Sequence, residues 1–163
     1  MLILGIDPGT AMIGVGLIEY KNKKATIKGY DCLTTSARDT TAQRLLDLHQ
    51  QLTKFIKKHQ PDLIAVEELF FFKNLKTAIK VSQARGVILL AAQQTGALIF
   101  EYTPLQVKQA LTGYGRAEKT QVQQMVKAIL SLKNIPQPDD AADALAIAIC
   151  CAHSQKNIPR TGA

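Results

Sequence analysis

The stretch Leu2-Ile3-Leu4-Gly5-Ile6-Asp7-Pro8-Gly9-Thr10 decides how the rest of the chain is read. Its apolar residues run without alternation, the pattern of a strand covered on both faces. Pro8 fixes φ and Gly9 admits φ > 0, so a turn follows directly after the acid. Asp7 thus stands at the end of a central strand, where a carboxylate is costly unless a cation or a capping backbone answers it. A lone Asp-Pro-Gly turn can satisfy itself through its own backbone. What changes the reading is a second strand of the same kind, Leu63-Ile64-Ala65-Val66, which runs into Glu67-Glu68.

Working outward, Ile13 to Tyr20 alternates, Lys21-Asn22-Lys23-Lys24 is a polar turn and Ala25 to Leu33 reads as a third strand, so the chain opens with a meander. Thr40 to Lys58 has helical spacing, with a capping box at Thr40 and Gln43 and an apolar face of Leu45, Leu48, Leu52, Phe55 and Ile56. Beyond the acidic strand a helix is predicted from about Lys76 to Thr95, closed by Gly96. Leu98 to Tyr102 is a fifth strand, and Thr103-Pro104-Leu105-Gln106 opens a helix with cap, first-turn proline and box Gln in place. The glycine-bearing loop 112–117 is the expected mobile segment. A helix from about Glu118 to Leu130 follows, and Pro136-Gln137-Pro138 precedes a final one from Asp139 to about Lys156. The predicted architecture is α/β: a five-stranded mixed sheet with helices on both faces, one domain over 1–156 and a short tail at 157–163.

Bulk properties narrow the setting. The 163 residues suit one domain, and Lys+Arg of 20 against Asp+Glu of 13 gives +7, which points to a polyanionic partner. Apolar runs fall short of a spanning helix and the N-terminus has no basic leader, so a soluble cytoplasmic protein is expected. Cys32, Cys150 and Cys151 suit reduced thiols.

The last helix adds Asp140 and Asp143, which lie on one face of its first turn. Acids favour helix starts for dipole reasons alone. Here, though, they are followed by Ala144-Leu145-Ala146-Ile147-Ala148-Ile149, apolar nearly all round, which implies a helix pressed on the sheet that carries its first turn inward. Acids from three separate elements can then converge, and convergence implies divalent cations. Carboxylates with water suit Mg²⁺ or Mn²⁺. The residues alone leave open Glu67 against Glu68 and Asp139 against Asp140.

Six blocks together, Ile6-Asp7-Pro8-Gly9-Thr10, Val66-Glu67-Glu68-Leu69-Phe70, Gln83-Ala84-Arg85-Gly86, Val107-Lys108-Gln109, Ala117-Glu118-Lys119-Thr120-Gln121-Val122 and Asp140-Ala141-Ala142-Asp143-Ala144-Leu145-Ala146, resemble the RuvC family of bacterial Holliday-junction resolvases, in the same order and over nearly the whole chain. The resemblance implies a ribonuclease-H-like fold and a homodimer that cuts four-way DNA junctions with Mg²⁺, two ions per site, beside the RuvA and RuvB branch-migration proteins. It implies metal-binding acids at Asp7, Glu67, Asp140 and Asp143, leaving Asp139 as a cap, and catalytic support from Lys108 and Lys119. It implies an aromatic at Phe70 that presses on bases at the junction centre. The run Phe70-Phe71-Phe72 cannot all face inward, and which ring is exposed stays open on the residues themselves. Lys73, Lys76 and Lys80 share one helix side suited to phosphates, and Arg85 and Arg116 are expected to join them. Competing readings are an actin-like ATPase lobe, which the short chain disfavours, a related nuclease on structured RNA, and a junction-binding module that would have no use for four costly acids.

Overall fold

The computed structural model describes residues 1–9, 11–68 and 75–155, with the side chains at 75–77 outside that description. The strands are β1 (Leu2–Asp7), β2 (Met12–Lys21), β3 (Lys24–Thr34), β4 (Leu63–Glu67) and β5 (Leu98–Tyr102). They form one sheet in the order β3-β2-β1-β4-β5. The meander pairs antiparallel, while β4 and β5 join parallel to β1. Asn22 and Lys23 take φ of 51° and 62°, the primed hairpin geometry that matches strand twist.

The helices are α1 (Thr41–His59), α2 (Leu75–Gln93), α3 (Pro104–Thr112), α4 (Lys119–Ile129) and α5 (Asp139–Ser154). Both predicted capping boxes form, Thr40 with Gln43 and Thr103 with Gln106. The helix predicted to reach Thr95 stops at Gln93, before Gly96 at φ 77°. The final helix stops at Ser154 rather than Lys156, with Gln155 as its C-cap. Asp139 is not a cap: Pro138 holds that position and Asp139 is the first helical residue, its carboxylate drawn to α4 instead. In loop 112–117 the Thr112 hydroxyl accepts from the Tyr114 N–H at 3.1 Å.

Two apolar layers flank the sheet. Leu4, Ile6, Val15, Ile64 and Val66 pack under α1 and α2 against residues such as Leu52 and Ile88. Ile3, Ile18, Leu63 and Ala65 pack on the other side with Leu145 and Ile149 of α5, and with α3 and α4. The unbroken apolar runs of β1 and β4 follow from this double cover. Cys150 and Cys151 are buried and Cys32 half-buried, all free thiols. Among the described residues, no helix is long and apolar enough to cross a membrane.

The approach of α5 is set by missing side chains. A Cβ on Gly5 would stand 2.0 Å from the Ala144 carbonyl oxygen, and one on Gly14 would stand 1.9 Å from that of Asp140. Gly5 pairs with Gly16, and Asp7 with Gly14, in the β1–β2 register. Glycines on the strands and the alanine run on α5 therefore let two backbones touch, and they fix the first turn of α5 beside the end of β1.

Candidate active site

Strand alternation aims the first two acids. Ile3, Gly5 and Asp7 lie on one face of β1, while Leu63, Ala65 and Glu67 lie on the same face of β4, the face covered by α5. Since Ile6 pairs with Val66 in the parallel register, the two strands deliver Asp7 and Glu67 side by side. Glu68, by contrast, is exposed, and its N–H donates to the Tyr102 carbonyl as the chain leaves the sheet. From above, the pinned first turn of α5 brings Asp140 and Asp143, both half-buried.

The electrostatics record this convergence. Burial is the main cause that pushes the Asp7 carboxyl up to about 8, and the charges of Glu67, Asp143 and Asp140 add to it while Lys119 opposes them. Burial, then Asp143, pushes Glu67 up to about 7 against Lys108 and Lys119. Asp143 is also raised, chiefly by burial, although its bond to Lys119 works the other way. Among the described residues no three His, Cys, Asp or Glu side chains are gathered tightly enough to grip an ion as they stand. The acids still feel each other through a poorly solvated space.

Lys119 supplies the local positive charge. Its Nζ lies 2.9 Å from Asp143 and 3.3 Å from Asp139. Burial disfavours this ammonium, but its bonds to Asp143 and Asp139 outweigh that and its pKa rises above the ordinary value. Asp139, held below its usual range first by Lys119, also accepts from the buried Gln123 amide at 3.1 Å. Glu67, Lys108, Lys119 and Asp143 line a cleft of about 220 Å³ with Val107 and Val122. A larger groove, about 560 Å³, lies at the opposite end of the sheet between the C-terminal ends of α1 and α2 and holds no comparable cluster.

Asp7 thus lies close enough to Glu67, Asp140 and Asp143 to feel their charges, and Lys108 and Lys119 line one cleft with Glu67 and Asp143. Lys80 on α2 and Arg116, between α3 and α4, are exposed. Arg85 turns inward, donating from Nε to the Glu67 carbonyl at 3.4 Å and pairing through its guanidinium with Glu101 of β5. Phe70, with Phe71, Phe72 and Lys73, and the Lys76 side chain, fall outside the described residues, as does the tail 157–163. Sequence reasoning missed the Gln123–Asp139–Lys119 chain, since it depends on how α4 meets α5. The buried polar residue within an apolar helix face, Gln123 between Val122 and Val126, was its one signal.

Residues 3–151 match the family described as Crossover junction endodeoxyribonuclease RuvC. A protein of that name from Desulfitobacterium hafniense (strain DSM 10664 / DCB-2) is 59% identical over 162 residues, covering 99% of this chain and 98% of that protein. The solved structure of Thermus thermophilus RuvC superposes with a TM-score of 0.87 at 38% identity, covering 94% of both chains. The T. thermophilus RuvC in complex with Holliday junction substrate gives 0.85 at 36% identity, again over 94% of each. The five-stranded mixed sheet is therefore the ribonuclease-H-like one that the sequence blocks implied, and the chain belongs to the RuvC family of crossover junction endodeoxyribonucleases.

Proposed function

We propose that this protein is a structure-selective endonuclease that resolves four-way DNA junctions by paired, symmetric, metal-dependent phosphodiester hydrolysis in recombination and repair. The observation that carries the reading is the convergence of Asp7, Glu67, Asp140 and Asp143 from three elements of a RuvC fold, with two of the carboxyls displaced to about 8 and about 7. A set made only of carboxylate oxygens, crowded and poorly hydrated, suits hard divalent cations, because these relieve the repulsion and burial that raise Asp7, Glu67 and Asp143.

Asp7, Glu67, Asp140 and Asp143 would hold two Mg²⁺, with Mn²⁺ able to substitute, and Asp7, whose carboxyl feels the charges of the other three, would serve both ions. Divalent cations bound there supply activation of water and stabilisation of the leaving 3′ oxygen, giving a 5′ phosphate. Lys119 pairs with Asp143, and with divalent cations at the acids Lys119 and Lys108 would face phosphate charge in the cleft. The exposed Lys80 and Arg116 track the backbone, as do Lys73 and Lys76 in this reading, within a chain of formal charge +7. Phe70 stacks on bases unpaired at the crossover. Two symmetric cuts need two sites related by a dyad, which makes the working unit a homodimer, with α2 as the interface. RuvA and RuvB are the proposed cytoplasmic partners that present the junction.

The test is incubation of a synthetic four-way junction and a matched linear duplex with protein, with Mg²⁺ or with chelator. Paired, symmetric nicks in the junction that require the cation are expected. Junction binding without cutting would reassign the chain as a binding module, and preferential cutting of structured RNA would reassign the substrate.

A further inference from the structure

Arg85 is a single cation on α2 that two other elements share. It leaves the helix on the side facing the sheet, its side chain 23% exposed. Its Nε donates to the backbone carbonyl of Glu67, and its guanidinium pairs with Glu101 of β5. Glu67 is the last residue of β4, and its ladder partner in β5 is Tyr102, the neighbour of Glu101. The next residue is tied on the other side, since the Glu68 N–H donates to the Tyr102 carbonyl at 2.8 Å. β5 still holds this peptide through its N–H, whereas the β1 pairing ends at Val66, and the Glu67 carbonyl accepts from Arg85 instead.

We propose that Arg85 is a positioning residue: by gripping the Glu67 carbonyl from the α2 side while anchored on Glu101, it fixes the direction in which the Glu67 carboxylate leaves the opposite face towards Asp7. This inference rests on the reading of Glu67 as a ligand for a divalent cation. A planar guanidinium can make both contacts at once, because its fork offers donors in fixed directions. Lysine, a point donor, keeps the charge that pairs with Glu101 but cannot hold the carbonyl as well. The arrangement is the usual outer support of a metal site, a group that touches no ion yet sets the direction of one that does. It also assigns Arg85 a role inside the chain in place of the DNA contact expected from its charge.

The test compares Arg85→Lys with the wild-type protein by Mn²⁺ binding, read from the free-ion electron paramagnetic resonance signal, and by metal-free junction affinity at matched salt. Arg85→Lys is expected to bind Mn²⁺ roughly 10-fold more weakly, the lower end of what loss of such support costs, with junction affinity and thermal midpoint near wild type. Unchanged Mn²⁺ affinity would overturn the proposal, as would weaker junction binding with Mn²⁺ affinity intact, which would return Arg85 to the DNA surface. Should Arg85→Lys not fold, Glu101→Gln decides instead: freeing the guanidinium from its anchor is expected to weaken Mn²⁺ binding about threefold, and wild-type affinity would overturn the proposal. A wild-type protein that binds no Mn²⁺ would overturn the cation reading of the acid cluster itself, a distinguishable failure.

Discussion

The two ends of the sheet carry aspartates in opposite circumstances. At the end where β4 begins, Asp62 is exposed, and its carboxylate accepts from the Leu2 N–H at 2.6 Å beside the larger groove of the molecule. At the other end Asp7 is half-buried, with the charges of three further acids acting on it, and its carboxyl is pushed up to about 8. The first end is roomy and satisfied, whereas the second is tight and electrostatically unfavourable. Volume therefore does not single out the acidic end. A fold keeps a cluster of poorly solvated acids at a cost in stability, and that cost is offset when a ligand of opposite charge arrives.

The largest expected effect breaks the acidic end by one atom. Asp7→Asn keeps the shape while removing a charge, and should lower junction cleavage by roughly 10²–10³-fold or more, the scale of losing one stabilising electrostatic group. The same change should stabilise the metal-free protein above about pH 8, by an amount on the order of a few kcal/mol, since a buried charge and its repulsions disappear. Cleavage assays and chemical denaturation measure the two halves separately. Wild-type cleavage by contaminant-free Asp7→Asn would move the reaction elsewhere.

A glycine at each end sharpens the contrast. Gly14→Ala places a Cβ 1.9 Å from the Asp140 oxygen, a clash between two backbones that neither can escape by rotating a side chain. It should destabilise the protein by about 3 kcal/mol or more, and it should weaken cation binding as well, because α5 must lift with Asp140 and Asp143. Gly96→Ala lies at the other end, with open space around the added carbon and a φ of 77°. Its cost should be about 1 kcal/mol of local backbone strain, with cation affinity unchanged. Denaturation midpoints together with Mn²⁺ titrations separate the two; equal loss of Mn²⁺ affinity in both would remove the special status of the acidic end.

Much of this contrast was legible in the chain. Continuous apolar runs that end in acids specified β1 and β4, whereas Glu67 and Glu68 stay undecided on the residues alone until the covered face is known, which leaves Glu68 exposed. The capping boxes at Thr40 and Thr103 placed two helix starts to the residue. The inward first turn of α5 was readable from its apolar circumference, although the reason for its depth lay in Gly5, Gly14 and Gly16, whose spacing has meaning only after the register is known. Asp139 was misread as a cap because its partners, Lys119 and Gln123, come from a helix whose docking no local pattern encodes. For Arg85, expected to join the DNA-facing cations, the contacts with Glu67 and Glu101 were equally hidden: charge is visible in a sequence, but the direction in which a helix presents it is not.

In the proposed reading Asp7 and Glu67, raised by burial and by neighbouring acids, belong to a divalent-cation site. Asp7 rises from an ordinary 3.8 to about 8 and Glu67 from 4.5 to about 7, so between those values the folded state binds more protons than the unfolded one. Stability without metal must then fall as pH rises across that window and level off above it. A divalent cation needs the deprotonated acids, so its stabilisation must grow over the same range. The direct measurement is the thermal midpoint of wild type and Asp7→Asn from about pH 5 to about pH 9, with and without saturating Mg²⁺. A Mg²⁺-induced rise is expected in the wild type that is small at the acid end, grows through neutrality and is largely lost in Asp7→Asn. A rise independent of pH, or one of equal size in Asp7→Asn, would contradict that reading.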